Sequence, residues 1–303
     1  MKSNFQIRKI KRKKKIHLLK QTKVNHPRHR FQDEYDASRE WCESQPMRDM
    51  HIKSNDNLKL HASFLPTKNA KRYVVMCHGY RGTRFGSSAH IAKFLHENKC
   101  SLLLIDQRCC GESEGRIITY GAKEQYDIIN WLKLIDKINV RRLPVYLYGQ
   151  SMGATSILLA SGHKLPGNVH GLIADCGFHS MKEELQDILK NWFHIHFSNS
   201  IIRRIDFRHR VFGGFSLNDT DTTEALKRNT HPILFFHGEE DTYVWPANTI
   251  KNYQICRAPK EMVIIPNAKH LCSSFEAPEL YNSKIISFFN RYDDISNTLQ
   301  QTV

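Results

Sequence analysis

The stretch PVYLYGQSMGATSILLASG, residues 144–162, decides how the rest of this chain is read. Its first half is an apolar, β-prone run, and its second half is rich in Ala, Ile and Leu and closes on Gly162. A strand over 144–149 therefore runs straight into Gln150-Ser151, and a helix follows over 152–162. Between them stands Gly149-Gln150-Ser151-Met152-Gly153, a G-x-S-x-G pattern. A serine in that strand–turn–helix setting is a nucleophile-elbow candidate, because the glycines allow the close backbone approach that the turn needs. The competing reading of Ser151 is a helix N-cap, a role serine often fills.

A second G-x-S-x-G, Gly111-Glu112-Ser113-Glu114-Gly115, lies among charges with no strand directly before it. Ser113 reads as a turn residue. Outward from the elbow the chain alternates between strands and helices. MHIKS (50–54) and LKLHASFL (58–65) form a hairpin across Asn55-Asp56-Asn57. YVVMC (73–77), SLLLID (101–106), HGLIADC (170–176), PILFFHG (232–238) and EMVIIP (261–266) are continuous apolar runs of the kind buried in parallel sheets. Helices are expected over about 33–45, 88–97, 121–137 and 278–291. Two antiparallel strands followed by about six strands alternating with helices predict an α/β architecture, a mostly parallel sheet of about eight strands flanked by helices. Between Cys176 and His231 a segment containing Trp192, Phe193, Phe197, Phe207, Phe212 and Phe215 interrupts the alternation and reads as a helical lid over about 177–230. Its aromatics either line an apolar acyl site or pack the insertion onto the body.

A serine hydroxyl needs a base oriented by a third group. After the strand ending at Gly238 comes Glu239-Glu240-Asp241, and after the next strand comes Asn267-Ala268-Lys269-His270. Ser151, Asp241 and His270 then share the carboxyl rim of the sheet, where ligands bind in open α/β sheets. His270 is the base and Asp241 the acid; Glu239 and Glu240 compete with Asp241, and Asp175 is the second choice. His78 and His237, each followed by Gly, read as turn residues. The oxyanion donors are the backbone N–H groups of Met152, just after the nucleophile at a helix N-terminus, and of Tyr80, in the loop His78-Gly79-Tyr80. No metal or organic cofactor is implied.

These segments, together with Asp106-Gln107-Arg108-Cys109-Cys110-Gly111-Glu112-Ser113, resemble bacterial serine hydrolases of the α/β-hydrolase fold related to the serine aminopeptidase and prolyl-oligopeptidase-like groups. The resemblance runs from about Trp41 to Phe289. In those groups the last three motif segments hold the nucleophile, acid and base, which agrees with the reading of the residues. Relatives usually carry Gly or Ala and then His where this chain has Cys109-Cys110. They also often begin with a membrane anchor, for which this chain lacks the apolar run.

The net charge of +15 is concentrated. Residues 1–32 hold twelve Lys or Arg and no Asp or Glu, leaving about +3 for the remainder. They read as a solvated basic arm ahead of a single domain over 33–297, with a short tail at 298–303. Such an arm offers weak electrostatic contact with an anionic membrane or nucleic acid, without sequence-specific recognition. No stretch approaches the roughly 18–20 apolar residues of a membrane span, and no apolar core follows the basic start as in a signal peptide. The eight cysteines show no paired metal spacing and fit reduced thiols in a cytoplasmic protein, with Cys109-Cys110 as the pair open to oxidation. The expected activity is cleavage of an ester of a small acyl substrate. Peptide or thioester cleavage by the same triad, and a catalytically idle binding module, are the alternatives.

Overall fold

The strand-to-helix run of residues 144–162 forms as its pattern dictates, and the remainder of the sheet is assembled around it. The computed structural model describes residues 27–166, 168–195 and 199–294. Eight strands share one sheet: β1 (Arg48–Lys53), β2 (Lys59–Leu65), β3 (Arg72–Cys77), β4 (Cys100–Ile105), β5 (Val145–Gln150), β6 (Val169–Asp175), β7 (Ile233–Gly238) and β8 (Lys260–Ile265). Their spatial order is β1-β2-β4-β3-β5-β6-β7-β8. The β1–β2 and β2–β4 pairings are antiparallel and all others parallel. The chain steps from β3 to β4 on one side, then crosses β3 to reach β5 on the other. The loops leaving β3 and β5 therefore diverge and open a crevice at their carboxyl ends.

Both sheet faces are covered, which is why the central strands read as unbroken apolar runs. Leu60, Val75, Leu103 and Leu147 point to one face and meet Ile128, Trp131 and Ile135 of helix Glu124–Ile138 and Ile157 of helix Met152–Ala160. Val74, Leu104, Tyr146, Tyr148 and Phe236 point to the other, against Tyr281, Ile285 and Phe289 of helix Pro278–Tyr292.

Order begins before the composition indicates. Residues Pro27–Phe31 form a 3-10 turn, Phe31 stacks on Phe275 with ring centroids 5.2 Å apart, and Arg30 pairs with Glu276 at 2.8 Å. The rest of the expected basic arm, and the tail from 295 on, lie outside the described residues. The described residues contain no helix long and apolar enough to cross a membrane.

The loop after β4 is fixed by an interior ion pair. Arg108 is 3% exposed and donates to Asp127 at 2.7 and 2.8 Å, while reaching Asp56 at 3.0 Å. Truncating one member of such a pair strands the other charge away from water. Arg108→Ala should lower the unfolding free energy by about 3–5 kcal/mol in urea titration, and the double variant Arg108→Met/Asp127→Leu should recover much of that loss.

Candidate active site

The turn after β5 adopts a backbone shape that few serines accept. Ser151 sits at φ 53° and ψ −122°, in a region costly for a residue with a side chain. Its N–H donates to the Asp175 carbonyl at 2.8 Å. A Cβ on Gly153 would lie 2.2 Å from the Cys77 carbonyl oxygen, and one on Gly149 would lie 2.5 Å from that of Gly153. Only glycine fits either place, so the two glycines of the motif are demanded by contact. Ser151 makes no capping hydrogen bond, which removes the N-cap reading.

Its hydroxyl meets a histidine instead. His270 Nε2 lies 3.0 Å from Ser151 Oγ, and His270 Nδ1 lies 2.6 Å from Asp241 Oδ2. All three residues are buried. Asp241 follows β7, and His270 follows β8 in a loop where Asn267 and Leu271 both take positive φ. The other carboxylate oxygen of Asp241 accepts the Tyr243 and Val244 N–H groups at 2.9 and 3.0 Å. Burial works against the Asp241 charge, but the adjacent His270 and His237 and their hydrogen bonds override it and hold the carboxyl below its ordinary range.

His237 does not turn the chain. It ends inside β7, buried, with Nε2 3.2 Å from Asp241 and 2.8 Å from the Val244 carbonyl, and with Nδ1 2.7 Å from Thr249 Oγ1. It braces the acid's loop, a role that the His-Gly pair did not disclose. His78 does shape its loop: Nδ1 lies 2.7 Å from the Gly79 carbonyl, and Nε2 accepts the Gln107 N–H at 3.0 Å.

The rival acids fall elsewhere. Glu239 and Glu240 face solvent. Asp175 is fully buried at the end of β6, bound by the Tyr281 hydroxyl at 3.0 Å and the Ser273 hydroxyl at 3.3 Å. Ser113 is a tie between strands: it accepts the His61 N–H at 2.9 Å and donates to the Asp106 carbonyl at 2.6 Å.

Gly79 lies against Ser151, close enough that a Cβ there would be 3.3 Å from Ser151 Cβ. That brings Tyr80 beside Ser151. Among the described residues no group accepts the backbone N–H of Tyr80 or of Met152. Above the site, the Tyr243 ring stacks on His270 with centroids 5.7 Å apart, and Tyr80 stacks on Tyr120 at 5.6 Å.

The expected insertion between β6 and β7 is helical. It comprises Met181–Phe193, Asn199–Arg208 continuing into a π turn at His209–Gly213, the 3-10 turn Leu217–Thr220 and the helix Thr223–Arg228. Its ends are tied together: the Thr222 N–H donates to the His179 carbonyl at 3.1 Å. Phe178, Met181, Ile202 and Leu217 pack with Met152 and so cover the residue next to Ser151. Phe215 is buried as well, whereas Trp192, Phe193, Phe207 and Phe212 face outward.

Two groups of side chains bring three potential metal ligands together among the described residues: Cys176, Asp241 and His270, and His61, Asp106 and Glu112. The first shares two residues with the Ser151 hydrogen-bond chain. In the second, Arg84 already binds both Asp106 and Glu112. Neither donor set suits a resident cation. None of the eight cysteines is in a disulfide. Cys110 is buried, which pushes its thiol up to about 11, so Cys109-Cys110 is not an exposed pair.

Similarity to known proteins follows the same outline. A family profile described as "Serine aminopeptidase, S33" matches residues 68–211. An uncharacterised protein of Bacillus subtilis, YqkD, is 27% identical over 222 residues, covering 73% of this chain and 72% of its own. An esterase of Pyrococcus furiosus superposes with a TM-score of 0.66 at 20% identity, over 82% of this chain and 94% of its own. An acylaminoacyl peptidase gives 0.63 at 14% identity, over 82% of this chain and 41% of its own. The chain has the α/β-hydrolase fold. Within this fold Ser151, Asp241 and His270 stand at or just beyond the ends of β5, β7 and β8.

One buried carboxyl was not foreseen from sequence. Glu184, in the first turn of Met181–Phe193, is 3% exposed; Oε2 accepts from Asn248 at 3.2 Å and Oε1 has no partner among the described residues. Burial, and then the charges of Asp187 and Asp241, push it up to about 8. A free glutamate titrates near 4.3, so the folded chain keeps this proton longer than the unfolded chain does. The resulting stability is complete below that free value and is lost as pH rises through the folded one. Between about pH 5 and pH 9 the native chain should lose on the order of 4 kcal/mol more stability than Glu184→Gln, as read by urea denaturation at each pH.

Proposed function

We propose that the protein is a serine hydrolase that cleaves carboxylic esters through an acyl-enzyme. The observation that carries this reading is Ser151 Oγ, held on a strained elbow at φ 53° and 3.0 Å from His270 Nε2, with Asp241 2.6 Å behind the ring. A binding module has no need of this arrangement, since an idle serine gains nothing from a base aligned by a buried carboxylate.

Ser151 Oγ attacks the substrate carbonyl carbon while His270 Nε2 takes its proton. Asp241 stays ionised, accepts from Nδ1–H and stabilises the imidazolium. The oxyanion is received by the N–H groups of Tyr80 and Met152, the latter also at the N-terminus of a nine-residue helix. Collapse expels the alcohol, which takes the proton from His270. Water, deprotonated by the same nitrogen, then attacks the acyl carbonyl; the acid leaves and Ser151 regains its proton.

Esters are favoured over amides because an alkoxide leaves more readily than an amide anion. The similar Pyrococcus furiosus protein is described as an esterase. The acyl substrate is a small molecule, and the buried Met152, Phe178 and Leu217 beside the nucleophile suit an apolar acyl group.

Purified protein should hydrolyse short-chain p-nitrophenyl esters. Ser151→Ala and His270→Ala should each lower kcat by about 10³–10⁵, and Asp241→Asn by about 10²–10⁴, with circular dichroism unchanged. Turnover that survives in Ser151→Ala would exclude the serine mechanism.

A further inference from the structure

The insertion presents large apolar side chains to water at the edge of the site. Phe193, Phe207 and Phe212 are 62%, 66% and 71% exposed, and Trp192, Ile195 and Val211 are exposed with them. They stand near the C-terminal ends of two successive helices, Met181–Phe193 and Asn199–Arg208 with its π turn. Scattered single exposed hydrophobes need no account, but six within about twenty residues mark a surface that something covers.

Cations are interleaved with them. Residues 188–214 hold five Lys or Arg (Lys190, Arg203, Arg204, Arg208, Arg210) against Asp206 alone. Asp206 pairs with Arg210 at 2.8 Å. Arg203, Arg204 and Arg208 are exposed and have no ion-pair partner among the described residues. Aromatic and aliphatic side chains beside unpaired arginines suit a surface that is apolar beneath and negative above. The twelve cations of residues 1–32 add attraction of the same sign.

This surface borders the catalytic groups on two sides. Trp192 meets Tyr243 edge-on at 5.0 Å, and Tyr243 stacks on His270 at 5.7 Å. The turn that carries Val211 and Phe212 also holds His209, whose ring lies 5.8 Å from Tyr120, and Tyr120 stacks on Tyr80 at 5.6 Å. One route ends at the base and the other at an oxyanion donor.

We propose that the aromatic and arginine-bearing face of the insertion docks the enzyme on an anionic phospholipid surface, so that ester substrates enter Ser151 from the bilayer. The substrate clause rests on the ester-hydrolase reading; the docking clause does not. Rings that protrude past the cations insert among acyl chains, while the guanidinium groups stay at the phosphates.

The test is co-sedimentation of the full chain with phosphatidylcholine vesicles containing about 30% phosphatidylglycerol, at roughly physiological ionic strength. Phe207→Ser/Phe212→Ser keeps the basic arm and alters only exposed side chains. It should weaken vesicle binding by at least about tenfold. It should also lower turnover of a vesicle-embedded ester in proportion, and leave turnover of a water-soluble short-chain ester unchanged. Ser151→Ala should bind vesicles like the native chain, which separates docking from catalysis. Binding that persists undiminished in the double variant would assign membrane contact to the arm alone and overturn the proposal. Native chain that ignores the vesicles would overturn it too. So would a native dimer in sedimentation equilibrium that Phe207→Ser/Phe212→Ser dissolves, because the face would then belong to a second copy.

Discussion

A Cβ on Gly153 would stand 2.2 Å from the carbonyl oxygen of Cys77 and 2.6 Å from that of His78. With glycine there, the helix after β5 can begin directly against the exit of β3. The chain between must then turn within one residue, and that residue, Ser151, takes φ 53°. The same contact sets Gly79 against Ser151 and Tyr80 beside it. Ser151, the N-terminus of the helix that follows it and the Tyr80 backbone are thus held in place by one packing constraint between two neighbouring strands. The strain at Ser151 is maintained because the sheet and both flanking helices over-determine it.

Around that point the electrostatics are divided between two buried carboxylates. Asp175 ends β6 and Asp241 follows the adjacent β7, and position alone does not separate them. Surroundings do. Asp175 lies at the end of β6, where burial raises its carboxyl against the bonds from Tyr281 and Gln150. Asp241 accepts two backbone N–H groups and faces two imidazoles, which together outweigh the cost of burying its charge. One carboxyl supports the core and the other stays ionised beside a histidine.

How far the sequence carries can be judged element by element. The central strands were legible because burial on both faces leaves unbroken apolar runs, and the crossover helices because Ile128, Trp131 and Ile135 recur at helical spacing. The turn at Ser151 was legible because a motif and its strand–helix setting coincide. What escaped depends on contacts distant in sequence. His237 braces Asp241 only once the loop 238–244 folds back over β7. Glu184 is buried only because the insertion lies on helix Pro246–Ile255, which carries Asn248. Composition set the end of the basic arm too late, since Phe31 and Arg30 read as part of a charged run until Phe275 and Glu276 supply their partners. The aromatics of the insertion were foreseen as a group, but their division into inward Phe215 and outward Phe207 and Phe212 is a matter of tertiary packing.

The central claim is that one serine among many is activated, and that its activation comes from the elbow. It is tested most directly by treating the folded protein with a fluorophosphonate and locating the adduct by tandem mass spectrometry. A single phosphonyl group on Ser151, absent when the protein is first unfolded in urea, is the predicted result. An adduct on Ser113 or another serine, or a folded protein that stays unlabelled, would contradict it.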